Sequence, residues 1–233
     1  MKMKIIVGAI ASDGVYYNEA QSIWRQFMDV HPSVTSFFIK GTSEGTTKED
    51  LQTFTCDIPE TFENIFKKTI EFMKFALMHN NEWVFLLRTN VSSLFHWDNV
   101  LAMLEENAEY DVVANKKYHG YICFPTGCGM FLSRKVVEAI CNVPDEQLDA
   151  LAKLYNDDVI LGILIQTLGF ASNFKDVGYN HIHETTLIDS TSCHLRCRID
   201  NATDETRRQI EIPMMHKWIQ HWYPKINRNR EIL

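Results

Sequence analysis

The chain has 233 residues, 45% of them hydrophobic and 23% charged, with a formal net charge of −7. That balance supports a core of ordinary size and excludes an intrinsically disordered chain. An acidic chain also lacks the basic footprint on which non-specific nucleic-acid binding depends, so no nucleic-acid partner is expected.

Lys4 to Ala11 is a β-branched apolar run and reads as a buried strand. Ser12-Asp13-Gly14 cuts it too soon for a signal core or a membrane span, so a cytoplasmic protein is expected. Ile23, Trp24, Phe27 and Met28 recur at helical spacing, which places a helix over Glu19 to Val30. Ser33 to Lys40 reads as a strand, Gly41 to Lys48 as a polar loop and Leu51 to Asp57 as a third strand. Glu60 to Asn80 carries a broad apolar face and is the clearest helix. Trp83 to Thr89 is a short apolar strand stopping at Asn90-Val91-Ser92-Ser93, followed by a helix over Trp97 to Asn107 and a strand over Asp111 to Asn115. Tyr118 to Pro125 and Gly129 to Ser133 read as two strands around a Thr126-Gly127-Cys128-Gly129 turn, and Arg134 to Cys141 as a helix. Asn156-Asp157-Asp158 opens a helix running to Leu168, with acids near its positive end. The pattern is weaker after Phe174, although Trp218, Trp222 and Tyr223 fit a stripe on a C-terminal helix.

The alternation of strands and helices implies an α/β domain over residues 1–233 with a mostly parallel central sheet and helices on both faces. Residues 1–115 would form one half of that domain, and residues 116–233 the other half with the C-terminal helix. Ligands of such sheets sit at the carboxyl ends of the strands, which brings Ser12-Asp13-Gly14 and Arg88 to Ser93 to one rim, with Ala11, Ser12, Asp13, Arg88, Thr89, Asn90 and Ser92 as candidate ligand contacts. Six cysteines without a C-x-x-C pair are expected as reduced thiols rather than a zinc site.

Four segments carry a resemblance when taken in order. They are Asp57-Ile-Pro-Glu-Thr-Phe62-Glu-Asn64-Ile-Phe-Lys67-Lys68, then Trp83-Val-Phe-Leu-Leu-Arg88-Thr-Asn90-Val-Ser92-Ser93, then Tyr118-His-Gly-Tyr with Gly127-Cys-Gly129-Met-Phe-Leu-Ser133, and Tyr155-Asn-Asp157-Asp158-Val-Ile-Leu-Gly162. Together, over roughly residues 55–170, they resemble the beta-1,3-glycosyltransferase and Fringe-like group of GT-A enzymes, of a soluble bacterial or large-virus type. The resemblance implies a GT-A fold that moves a sugar from a nucleotide-sugar, with UDP as nucleotide, to an acceptor glycan or glycoprotein, with inversion. It also implies a Mn or Mg ion held by a D-x-D motif. Here Asn90-Val91-Ser92 stands in that place, and a hard cation prefers charged oxygen ligands.

Asp158, with Asp157 beside it, would take the proton from the acceptor hydroxyl. The same pair also suits a plain helix cap. Arg88, Asn90 and Ser92 would touch the donor, and the resemblance adds Lys68 or Lys67. His194, Arg196 and Arg198 alternate along a strand, so they would share one face and grip a diphosphate in place of the missing cation charge. A solvated basic strand fits the same pattern. His183 resembles the late metal-binding histidine of the family. Gly127, Cys128 and Gly129 would approach the acceptor, or simply turn the chain. An inactive GT-A-like binding module and a sugar-nucleotidyltransferase are the alternative functions.

Overall fold

The computed structural model describes residues 3–42, 50–79, 82–181 and 192–224. Its first strand, β1 (Ile5–Ile10), is buried along its whole length and lies parallel to both β2 (Val34–Thr42) and β4 (Phe85–Asn90). β3 (Thr53–Pro59) extends the parallel set beyond β2. On the other side, β7 (Ile122–Ser133) runs antiparallel to β4 and to β6 (Val112–His119), and β8 (Phe174–Asp176) lies parallel to β6. The sheet order is β3-β2-β1-β4-β7-β6-β8, with β7 alone reversed among these strands. A small second sheet joins β5 (Ser93–Phe95), β10 (His194–Arg196) and β9 (Asn180–His181).

Side chains alternate across the strands, so the sheet carries an apolar layer on each face. Ile5, Val7 and Ala9 pack with α1 (Val15–Trp24), α3 (Trp97–Glu106) and α7 (Asp204–Trp222). Ile6 and Ile10 pack on the other face with α2 (Ile65–His79), α4 (Arg134–Cys141) and α6 (Asp157–Thr167). Trp218 and Trp222 belong to the first of these cores, so the aromatic stripe of α7 is structural. α7 is pinned to α1 by Glu211, which is fully buried and accepts from the Tyr16 hydroxyl, from Ile199 N (2.8 Å) and from Arg207 Nε (3.1 Å).

Three elements differ from the sequence reading. α1 starts at Val15, four residues before the expected Glu19, behind Gly14 at φ +125°, and tight turns carry the apolar rhythm on to Phe27 and Met28. The expected turn at Thr126–Gly129 is the middle of one long strand, β7. A helix that the apolar pattern did not reveal, α5 (Asp145–Ala152), begins after Pro144 with two acids in its first turn. Among the described residues no helix is long and apolar enough to cross a membrane. The six cysteines are free thiols.

Candidate functional site

β1 and β4 end side by side, with Ile10 opposite Asn90. Both residues line a cleft of about 630 Å³, and Gly127 and Cys128 of β7, Asp157 and Asp158 of α6, and Arg196, Arg198 and Arg207 line it too. Sheet order creates the site: β7 inserts beside β4, and α6 packs on β7, which brings its first two acids to Arg88 of β4.

The acids at the start of α6 are engaged across the sheet rather than as local caps. The Asn156 side chain makes no capping bond. Asp158 accepts from Gly127 N at 2.7 Å. Arg88, only 4% exposed on β4, pairs with Asp157, lies 3.6 Å from Asp158 and donates to Gly127 O at 2.6 Å. Gly127 permits this arrangement, because a Cβ there would collide with Arg88 Nη1 and Asp158 Oδ1. Burial first, and then the adjoining Asp157 carboxylate, raises the Asp158 carboxyl above the ordinary carboxylate range, against the lowering influence of Arg88 and of the Gly127 amide. An acid so raised is suited to proton transfer near neutral pH.

The polar residues after β4 form a second cluster. Asn90 Oδ1 accepts from the Arg196 guanidinium and from the Ser92 hydroxyl (2.9 Å), while Asn90 Nδ2 donates to Gly127 O (3.1 Å). Arg196 Nη1 also reaches Ser92 Oγ (2.8 Å) and Ser93 Oγ (3.3 Å). Arg196 is 9% exposed, and all its described hydrogen-bond partners are neutral oxygens. A buried guanidinium without a carboxylate calls for an anion, and here it faces a cleft. The same cluster fits a Mn or Mg ion poorly. The Asn90 amide oxygen already accepts from the Arg196 guanidinium, and among the described residues no group of three or more His, Cys, Asp or Glu could hold a metal. His183 lies outside the described residues.

Several residues expected at the site are elsewhere or in other roles. Lys68 is completely buried and paired with Glu60, and Lys67 pairs with Asp149 at 2.6 Å, so neither lines the cleft. Arg88 is committed to two carboxylates, since a buried cation binds the nearest buried anions. Thr89 is buried and donates to Cys128 O (2.5 Å). Ala11 is buried, Ser12 uses its carbonyl to receive Gln21, and Asp13 pairs with Lys40 (2.9 Å); Ile10 and Tyr17 line the cleft at this end instead.

His194 shares a strand with Arg196 but is packed under Gly129, where an added Cβ would lie 2.8 Å from the ring. It stacks on Phe95 at 4.5 Å. Burial, then Arg196 and His181, pushes it down to about 3, so it is neutral and brings no charge to an anion. Arg198 follows the strand, lines the cleft and lies 3.8 Å from Asp200. Gly129 does not line the cleft, unlike Gly127 and Cys128. Sequence reasoning missed Tyr17, Phe124, Tyr179 and Arg207 as lining residues. Arg207 carried a signal, standing among eight Lys and Arg residues from Cys193 to Arg230, and the other three carried none.

No family model matches the sequence, and no curated protein matches it. Solved structures match the fold. The galactosyltransferase LgtC, in complex with donor and acceptor sugar analogs, is 12% identical and superposes with a TM-score of 0.51 over 90% of this chain and 95% of that one. A glycosyltransferase involved in the glycosylation of the major capsid of PBCV-1 is 8% identical, with a TM-score of 0.52 over 91% of this chain and 99% of that one. At such identities the likeness is one of fold: this chain has the GT-A fold expected from its sequence.

Proposed function

We propose that this chain transfers a sugar from a UDP-sugar to a hydroxyl of an acceptor glycan, with inversion at the anomeric carbon. The observation that carries the reading is Asp158, a carboxylate with a raised proton affinity at a helix start in the cleft. It takes the proton of the acceptor hydroxyl while that oxygen bonds to the anomeric carbon. The bond from that carbon to the diphosphate breaks, and its electron pair leaves with UDP. Arg88 and the Gly127 amide orient Asp158. Arg196 and Arg198 supply positive charge for the diphosphate, in the cleft where carboxylate-held metal would otherwise be expected. The GT-A fold and the donor and acceptor analogs held by LgtC support this class of reaction. UDP and inversion follow from the motif resemblance.

The test is a panel of UDP-sugars with mixed glycan acceptors, read as UDP release. Asp158→Asn is expected to lower turnover by roughly two to four orders of magnitude with UDP affinity unchanged. Near-normal turnover in that variant would remove Asp158 from the role. A second reading, a sugar-binding module without catalysis, is favoured by Asn90-Val91-Ser92 at the D-x-D position. It predicts UDP-sugar binding with no UDP release in the wild type.

A further inference from the structure

We infer that the acceptor contains more than one sugar unit, and that its second unit lies in a side groove between the turn at Phe62–Asn64 and residues 152–156. This rests on the transfer reaction proposed above, which sets the reacting hydroxyl at Asp158. The groove encloses about 380 Å³. It joins the main cleft directly, for Phe62, His119, Asn156, Asp157 and Val159 line both. A sugar presenting its hydroxyl to Asp158 therefore has its next unit at the mouth of the groove.

The chemistry of the lining points to a neutral polyhydroxylated ligand. Phe62 is 67% exposed and Tyr155 39% exposed, both beside the groove. A phenyl ring left in water forgoes the stabilisation of burial, and exposed aromatics grouped at a concave surface mark a contact area. A pyranose has an apolar C–H face that packs on such a ring and a rim of hydroxyls that seek hydrogen bonds. Glu63, Lys153, Asn156 and His119 offer those bonds. Glu63 and Lys153 balance each other in charge, whereas the main cleft carries several arginines. The nucleotide diphosphate therefore fits the cleft and the uncharged glycan fits the groove.

The experiment titrates the full chain, without donor, with malto-, chito- and galacto-oligosaccharides of one to four units, and separately with UDP. At least one series should bind more tightly at two units than at one. Phe62→Ala and Tyr155→Ala should each weaken the two-unit ligand about ten-fold. UDP affinity should be unchanged in Tyr155→Ala, whose ring lines the groove and not the main cleft. Tyr121→Ala, which removes a fully exposed ring that lines neither space, should change neither ligand. The proposal is overturned if UDP binds but no saccharide does, if two units bind no better than one, or if Tyr121→Ala loses as much as Phe62→Ala. Saccharide binding that depends on Phe62, with no binding of UDP, would keep the glycan groove and overturn the transfer reaction instead.

Discussion

Replacing Arg196 by Met isolates the part of the site that most separates this chain from a carboxylate-held cation. The native guanidinium touches Asn90 Oδ1, Ser92 Oγ at 2.8 Å and Ser93 Oγ at 3.3 Å, and among the described residues it forms no ion pair with a carboxylate. Met keeps an apolar stem reaching about as far as Arg Nε but removes the guanidinium and its charge. Asn90 Oδ1 retains the Ser92 hydroxyl as donor, so the apo protein is left with no orphan at that atom. Removing a buried, unpaired charge is close to neutral or stabilising, and the melting temperature of the apo variant should not fall. Binding of UDP should suffer. A lost charged hydrogen bond is worth about 1.5–3 kcal/mol, which corresponds to roughly 10–150-fold in Kd. Lys at 196 keeps a charge without the planar fork and should fall between Arg and Met. Calorimetric titration of UDP into wild type, Arg196→Met and Arg196→Lys, with and without EDTA, decides the matter. Wild-type binding that EDTA abolishes, together with unchanged affinity in Arg196→Met, would refute the reasoning and restore the cation.

Four other outcomes are expected. The acid limb of kcat/KM should have its midpoint well above the usual carboxylate range, because Asp158 must be deprotonated to act and its burial beside Asp157 raises its carboxyl; activity therefore rises with pH through that limb. Asp157→Asn removes one of the charges that raise Asp158, so the limb should move to lower pH, and an unmoved limb in a pH–rate profile would exclude the coupling. Gly127→Ala should displace Arg88 or Asp158 and lower turnover by more than ten-fold while leaving UDP affinity within about two-fold, as read by steady-state kinetics and titration. Glu211→Ala should destabilise the fold by about 3–5 kcal/mol, since it removes the buried acceptor shared by Arg207 Nε, Ile199 N and the Tyr16 hydroxyl, and thermal unfolding measures it.

What could be read from the sequence was what is decided within one or two turns of chain. Apolar rhythm located β1, β2, β4, α2 and α3, since burial of one face repeats every two or 3.6 residues. The start of α6 at Asp157 was legible from Asn156-Asp157-Asp158 because helix ends are chosen locally. The glycines of β7 misled because a glycine signals a turn and a close approach equally well. Only the three-dimensional structure shows that Gly127 makes room for Arg88 and Asp158.

The same limit governs the site. Arg88 meets Asp157 across 69 positions of sequence, and Arg196 meets Asn90 across 106. Alternation grouped His194 with Arg196, but a shared face does not say where the cleft ends, and His194 falls beneath Gly129. The chain by itself determined most of its helices and central strands, its α/β class and the acids that open α6. Which cation pairs with which acid, and which is left facing the cleft, was decided by the order β1-β4-β7 and the strand β10 laid against β5. Charge pairing depends on distance in space, and sheet order sets that distance.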